Sequence, residues 1–241
     1  MKKSSLKNCL VLLAIILYAI PIFAQKQELV GGKISFSETM WDFGYVPKTG
    51  IVSHTYSVKN IGSDTLVIVK VRTTCGCTTT PLTQQKLAPH QATDMKVFFD
   101  PRKIVVSETT KKLQVISSDP TKPIDEVQFS AKIGASNSLV KLTPTEINFD
   151  TVTFGAEEMR TIRIENISGE KLSIKVIEGP GENVDLDLKN KTLKPGENIE
   201  LVFKLKKDAA LGNFSSSVTL DFEGTKIARV SIPIFGVIVS K

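Results

Sequence analysis

The chain has 241 residues, of which 41% are hydrophobic and 23% charged. This composition is ordinary for globular proteins and argues against intrinsic disorder. The net charge is +6 and falls to +3 without the three lysines of the first ten residues. A charge this small, without a clustered basic run, excludes the electrostatic footprint of a nucleic-acid-binding protein.

The N-terminal segment has the pattern of a signal peptide. The three early lysines precede an apolar run from Leu10 to Ile20, and the small residue Ala24 stands before Gln25. This pattern predicts a signal peptide over residues 1–24. The apolar run is shorter than the roughly 20 residues that a membrane-spanning helix needs. Cys9 precedes the run, whereas a lipoprotein cysteine would follow it, so we expect no lipid anchor.

Cleavage before Gln25 would leave a secreted or periplasmic protein of the cell envelope. We expect no transmembrane segment in the mature chain, because no later stretch is apolar enough. Such compartments are oxidising, so paired thiols there can form disulfides.

An internal repeat relates the two halves of the remaining chain at a constant offset of 106 residues. The matched blocks are Trp41–Gly44 with Ile147–Asp150, Val58–Gly62 with Ile164–Ser168, Leu87–Pro89 with Leu193–Pro195, and Met95, Val97 and Phe99 with Leu201, Phe203 and Leu205. Four blocks in one register predict two homologous domains, residues 31–135 and 139–241, each of an ordinary domain size. The polar segment 134–138 between them is a short linker.

Both halves alternate with the period of a β-strand. Tyr56 and Val58 would face one side of a strand, and Ser57 and Lys59 the other. Turn signals separate such runs, and no window of helical length carries an apolar stripe. The sequence therefore predicts an all-β protein of two tandem Ig-like β-sandwich domains after the signal peptide.

Several blocks of the first half match a known family. They are Asp42–Gly44, Val58–Gly62, Val71–Thr78, Leu87–Pro89 and Val97–Asp100. This pattern, with its Thr-x-Cys-Gly-Cys-Thr signature, resembles the bacterial secreted domain-of-unknown-function family fifteen seventy-three, which is similar to the Hydin-like (ASH-type) Ig domains. The resemblance covers residues 36–99 well and implies an Ig-like sandwich in the envelope, with no established activity. The family usually has Gly after Ala-Pro, where this chain has His90.

Cys75-Gly76-Cys77 is the main candidate site. In a strand, residues two apart share a face, and Gly76 would leave room for a close approach. The pair allows three interpretations. It can fill the core, since cysteine behaves as a small hydrophobe. It can be a disulfide or redox pair, although Cα atoms two apart in a strand lie roughly 6.5–7 Å from each other, so that a turn at Gly76 would be needed.

The third interpretation is a soft metal site. Two thiolates suit Cu(I), whereas a zinc site needs about four ligands. Only two histidines, His54 and His90, are available, and His90 could join the cysteines if its loop lies at the same end of the sandwich. The second copy has Gly181 and Asn183 at the cysteine positions, so the scaffold does not require the pair.

No catalytic constellation accompanies these features, so we expect no enzyme. The sequence favours a non-enzymatic binding or structural protein of the envelope, which contacts an unknown envelope protein through its Ig-like modules and needs no cofactor. The alternative is an accessory protein for Cu(I) binding or thiol–disulfide chemistry that acts through Cys75 and Cys77.

Overall fold

The computed structural model describes residues 31–134, 137–188 and 191–240. These ranges contain eighteen β-strands and one short 3-10 helix, which confirms the all-β prediction. The predicted signal peptide, Cys9 and part of the predicted linker lie outside the described residues. Among the described residues, no helix has the length and apolar character to cross a membrane.

The first domain is a sandwich of nine strands. They are β1 (Ile34–Phe36), β2 (Met40–Val46), β3 (Val52–Asn60), β4 (Leu66–Thr73), β5 (Thr78–Thr79), β6 (Lys86–Leu87), β7 (Ala92–Phe99), β8 (Glu108–Ser117) and β9 (Ile124–Ile133). The 3-10 helix Pro101–Lys103 follows β7. One sheet has the order β1-β3-β7-β5, and the other runs β2-β9-β8-β4-β6.

The second domain repeats this plan strand by strand. It consists of β10 (Val140–Thr143), β11 (Ile147–Thr153), β12 (Met159–Asn166), β13 (Leu172–Glu178), β14 (Val184–Leu186), β15 (Lys191–Leu193), β16 (Asn198–Leu205), β17 (Gly212–Glu223) and β18 (Ile227–Val239). The sheet β10-β12-β16-β14 matches the first sheet of the first domain, and β11-β18-β17-β13-β15 matches the second. Each domain has a core of its own.

The predicted alternation holds in β3. Tyr56 and Val58 are fully buried, while Lys59 is exposed. Rings from both sheets meet in the same core, where the centroid of Phe129 lies 5.3 Å from that of Phe43 and 5.0 Å from that of Phe99. Burying each such ring contributes on the order of 2–3 kcal/mol. The alternation therefore places the apolar face of each strand between the two sheets.

A buried asparagine fastens one end of the first sandwich. The Asn60 Oδ1 accepts hydrogen bonds from the backbone N–H groups of Lys33 (3.1 Å) and Gly62 (2.9 Å). Its Nδ2 donates to the carbonyls of Asp64 (2.8 Å) and Leu87 (3.0 Å). One side chain thus ties together three chain segments that would otherwise leave buried polar groups unpaired.

Asn166 does the same in the second domain. It lies 106 residues after Asn60, and its Nδ2 donates to the carbonyls of Glu170 and Leu193, each also 106 residues after its counterpart. Its Oδ1 accepts from the N–H and hydroxyl groups of Ser168. The repeat in the sequence is therefore a repeat of specific hydrogen bonds.

The two domains share a sheet. The first part of β18 lies beside β2, where Val230 pairs with Tyr45, and the last part of β18 pairs with β11. The sheet β2-β9-β8-β4-β6 of the first sandwich and the sheet β11-β18-β17-β13-β15 of the second thereby join into one sheet of ten strands.

Gly44 allows this junction. It has a positive φ of 63°, and its N–H donates to the Asp42 carboxylate at 2.9 Å. Asp150, at the same position of the second copy, also has a positive φ, of 56°. The shared conformation does not demand glycine, but a Cβ on Gly44 would collide with the backbone carbonyl of Arg229. Glycine is therefore required in the first copy only, because another domain lies against it.

Short hydroxyl side chains complete the contact between the domains. The Ser231 hydroxyl donates to the Phe43 carbonyl at 2.7 Å. The Ser217 hydroxyl donates to the Ser53 carbonyl at 3.1 Å and accepts from the Ser53 N–H at 2.9 Å. All four residues are buried. Hydrogen bonds from serine hydroxyls of the second domain to backbone groups of the first therefore fix the relative orientation of the domains.

Gly44→Ala should destabilise the protein more than Gly196→Ala. Gly196 also has a positive φ, of 73°, but a Cβ there would meet nothing within 4 Å. Both changes carry the left-handed penalty of about 1 kcal/mol, whereas Gly44→Ala must also separate two backbones. We expect Gly44→Ala to lower the free energy of unfolding, measured in urea, by about 2 kcal/mol more than Gly196→Ala does. Equal losses would show that the contact with Arg229 contributes nothing.

Candidate functional site

The Cys-Gly-Cys loop lies at one end of the first sandwich. It connects β4 to β5, and Gly76 and Cys77 form a turn. Thr78 in β5 pairs with Phe99, the last residue of β7. The loop therefore caps the core at the end where β7 finishes.

The turn brings the two sulfur atoms to bonding distance. The Cα atoms of Cys75 and Cys77 are 5.3 Å apart, within the range that a disulfide accepts. The cysteines do not lie side by side on a strand, as their spacing predicts, because the chain reverses between them. The predicted role of Gly76 in a close approach is also wrong, since a Cβ there would meet nothing within 4 Å.

The two sulfurs differ in their surroundings. Cys77 is 5% exposed and belongs to the core of the first domain, while Cys75 is half-buried at the edge of that core. The Thr78 hydroxyl lies 3.7 Å from both sulfur atoms. Core filling thus describes Cys77 in part, whereas Cys75 faces both the core and the solvent.

The segment from Asp100 to Lys103 holds the loop by hydrogen bonds to its carbonyl groups. The Asp100 N–H donates to the Cys77 carbonyl at 2.8 Å, and the Lys103 ammonium donates to the Gly76 carbonyl at 3.2 Å. Asp100 is the N-cap of the 3-10 helix after β7, and Lys103 is its last residue. The Lys103 ammonium therefore lies at the backbone of the loop, and it is also 3.9 Å from the Asp100 carboxylate.

Asp100 holds that helix in place. Its carboxylate accepts hydrogen bonds from the Arg102 side chain at 2.8 and 3.0 Å and from the Arg102 N–H at 3.2 Å. The bonds from the Arg102 side chain lower the pKa of Asp100, and they outweigh the burial that would raise it. Asp100 is consequently an ionised anchor for the segment beneath the cysteines.

Two apolar side chains stand out beyond this helix. Val105 is 95% exposed and Val106 is 52% exposed, although Ile104 just before them is buried. Arg102 and Lys103 precede them, each with more than half of its side chain exposed. The end of the first domain that holds the cysteines therefore presents both positive charge and exposed valines.

The second copy also has a turn at this position, without cysteines. The Asn183 carbonyl accepts from the Lys206 N–H at 2.9 Å, which repeats the bond between Cys77 and Asp100 at the offset of 106. Gly181, at the position of Cys75, has a positive φ of 88°, a conformation that Cys75 does not adopt. The second copy thus keeps the hydrogen bond of the turn without a disulfide, but its backbone differs at the first position.

His90 does not join the cysteines, so the prediction that it could be a ligand with them is wrong. Its N–H donates to the Asn60 carbonyl just before β7, whereas Cys77 lies at the far end of that strand. Eight residues of strand separate the two places by about 25 Å. Within the described residues, no group of three or more His, Cys, Asp or Glu side chains could hold a metal ion.

His54 lies instead in the contact between the domains. It is 4% exposed and stacks on Trp41 with ring centroids 3.8 Å apart. Its Nδ1 lies 2.9 Å from the Glu178 carboxylate of the second domain, and its Nε2 lies 3.3 Å from Glu38. Burial, with the nearby charges of Glu38 and Glu178, raises the pKa of Tyr56 beside it. Sequence reasoning missed this cluster, because no local pattern links residues so far apart in the chain.

A cleft of about 720 Å³ opens at the junction of the domains. Its lining is mainly apolar, with two lysines, and includes Tyr45, Pro47, Lys48, Val140, Lys141, Leu142, Ile167 and Val230. Three of these residues are consecutive in β10. Side chains alternate along a strand, so three neighbours in one cleft indicate that the edge of β10, rather than one face, lies along it. Among the strands that the structure describes, β10 is the outermost of its sheet.

The first domain matches a known family model. Residues 34–133 match the family described as Protein of unknown function (DUF1573), which spans the sandwich from β1 to β9. This match confirms the predicted resemblance of the first half to this family. No curated protein matches the chain.

Several solved structures are similar in their arrangement of strands. A protein of unknown function from Porphyromonas gingivalis W83 is 12% identical with a TM-score of 0.36, and the match covers 85% of this chain and 99% of that chain. The ASH/PapD-like domain of human CEP192 is 10% identical with a TM-score of 0.38, over 43% and 87%. The Pseudomonas aeruginosa CupB2 chaperone is 10% identical with a TM-score of 0.34, over 83% and 99%. Likenesses this distant support no argument about function.

Asp100→Asn should weaken the protein in a pH-dependent way. The folded pKa of Asp100 is lowered, so its contribution is present above the unfolded value of about 4 and is lost as the pH falls through the folded value. We expect a loss of about 1 kcal/mol at pH 7 and a smaller loss at pH 3, measured by urea unfolding. The exposed Asp94→Asn is the control. A loss that does not change with pH would contradict the ion pair.

His90→Gly should stabilise the protein. His90 has a positive φ of 66° at the position that Gly196 fills in the second copy. The left-handed penalty of about 1–2 kcal/mol is removed, partly offset by the larger entropy of glycine in the unfolded chain. We expect a net gain of about 0.5 kcal/mol, with His90→Ala unchanged. A loss of stability would instead assign a structural role to the imidazole.

Proposed function

We propose that the protein is a non-enzymatic binding module of the cell envelope that takes up an extended segment of a partner protein along β10. The observation that carries the proposal is the run Val140–Leu142, which lies along the junction cleft at a sheet edge that no other described strand covers. An unpaired strand edge offers backbone donors and acceptors in a row, and an added strand satisfies them.

The chemistry of the cleft fits a polypeptide. The partly exposed side chain of Leu142 and the exposed side chain of Ile167 line it and can contact side chains of a bound strand, whereas Val140 is buried. Lys48 and Lys141 are exposed at the same cleft and favour an acidic segment.

The packing between the domains supports this role. Each wall of the cleft belongs to a different domain: Tyr45 lies in the first domain and Val140 in the second. The hydroxyl bonds of Ser217 and Ser231 fix the two walls before any partner arrives, and a preformed site loses less free energy in ordering. The proposed envelope location follows from the predicted signal peptide over residues 1–24.

Site-specific crosslinking in cells tests the proposal. We expect a photoreactive residue at Lys141 to crosslink an extended, acidic segment of an envelope protein, with at least tenfold lower yield for the same residue at Lys112 on β8. The double change Lys48→Glu and Lys141→Glu should reduce crosslinking from Thr49 at least tenfold without loss of stability, since all these side chains are exposed. Equal crosslinking at Lys112, or crosslinking from Thr49 that the double change leaves intact, would refute the proposal.

A further inference from the structure

The Cys75–Cys77 disulfide contributes little to holding the fold. The two residues are only two apart in sequence, and stabilisation by a cross-link grows with the length of chain that it closes. The second domain keeps the equivalent backbone hydrogen bond at Asn183 without any cysteine, although its backbone differs at Gly181. The bond therefore has no evident structural task in the first domain.

The two sulfurs are arranged unequally, as an exchange reaction requires. Thiol–disulfide exchange begins when a thiolate attacks a sulfur that it can reach. Cys75 is half-buried, whereas Cys77 is 5% exposed and packed in the core. An incoming thiolate therefore meets Cys75, and Cys77 is the sulfur that leaves.

Burial disfavours a thiolate at the leaving sulfur, and two nearby groups offset that cost. A cation near a cysteine stabilises its thiolate, and the Lys103 ammonium is held at the Gly76 carbonyl between the two cysteines. The Thr78 hydroxyl lies 3.7 Å from the Cys77 sulfur and can turn its proton toward it.

We propose that the Cys75–Cys77 disulfide oxidises a pair of thiols on an extended polypeptide. One substrate thiol loses its proton to water, and its thiolate attacks the Cys75 sulfur. The bond between Cys75 and Cys77 breaks, its electron pair stays on Cys77, and a mixed disulfide joins Cys75 to the substrate. The second substrate thiolate then attacks the substrate sulfur of that mixed disulfide and releases Cys75 as a thiolate.

Two electrons thus pass from the substrate dithiol to the protein, and the substrate gains one disulfide. Both substrate thiols lose their protons to water, and the Cys77 and Cys75 thiolates take up two protons from water. The exposed pair Val105 and Val106, directly after the helix that carries Lys103, offers an apolar contact that a polypeptide can use and a small thiol cannot. The proposal is independent of binding at β10, because the cysteines and the cleft involve different residues.

Peptide-level mass spectrometry on the full chain tests the step. Trypsin cleaves after Arg72 and Lys86, so Thr73–Lys86 contains Cys75 and Cys77 and excludes Cys9. We expect this peptide to be oxidised in protein purified from an oxidising compartment without reductant. Adding a synthetic peptide with two cysteines should convert it to the dithiol and form one substrate disulfide per protein chain. Recovery of the free dithiol from the untreated protein would overturn the proposal.

Single cysteine variants test the order of attack. With an oxidised test peptide, Cys77→Ser should form a mixed disulfide at Cys75 at least tenfold faster than Cys75→Ser forms one at Cys77. Equal rates would overturn the assigned roles. Lys103→Gln should slow the reduction of the wild-type disulfide by the two-cysteine peptide at least threefold, and the exposed Lys112→Gln should leave it unchanged.

The nature of the substrate is tested separately. The double change Val105→Ser and Val106→Ser should slow reduction by the two-cysteine peptide at least threefold and leave reduction by dithiothreitol unchanged. An equal effect on both reductants would exclude a polypeptide-specific contact. Tight binding of Cu(I) to the reduced pair, with the dithiol never reoxidised by a disulfide peptide, would overturn exchange and assign the cysteines to metal.

Discussion

The close approach of two backbones, at Gly44 and Arg229, determines how the two sandwiches are joined. Because no Cβ stands between them, β2 can lie beside β18 and a single sheet continues through both domains. The hydroxyl of Ser231 can then reach the carbonyl of Phe43, and Glu178 can reach His54. The cleft at the junction also results from this contact, because the contact sets the distance between the residues of the two domains that line the cleft. The cleft at the junction therefore depends on one position without a side chain, whereas the cysteine loop rests on the core of the first domain.

The repeat in the sequence predicted much of this scaffold. Alternation at Tyr56 and Val58 located a strand and its buried face, and the shared block around Asn60 and Asn166 marked the same fastening in both domains. These features are local, because strand period and buried hydrogen-bonding groups appear in short windows of sequence. Contacts between the domains have no such local signal. Glu178 looks like any charged strand end until the fold brings it to His54.

The candidate site was predicted less completely than the fold. Spacing alone placed Cys75 and Cys77 on one strand face, whereas a turn brings their sulfurs together. His90 looked available to the cysteines because a sequence does not say at which end of a sandwich a loop lies. Comparison of the two copies was the more reliable guide. His90 and Gly196 occupy equivalent positions with the same backbone conformation but different side chains. Such pairs show which residues the fold requires and which side chains are particular to one copy.

The pairing of β18 with both β2 and β11 also bears on how the chain can be divided. A first domain isolated at the linker would lose the strand that covers β2 and would expose Trp41, Ser53 and His54, which are buried in the whole protein. Open sheet edges with apolar neighbours promote self-association. The smallest autonomous unit is accordingly the pair of sandwiches, even though each sandwich has a complete core. Separating the two domains would therefore expose an apolar sheet edge at β2 that the whole protein keeps covered.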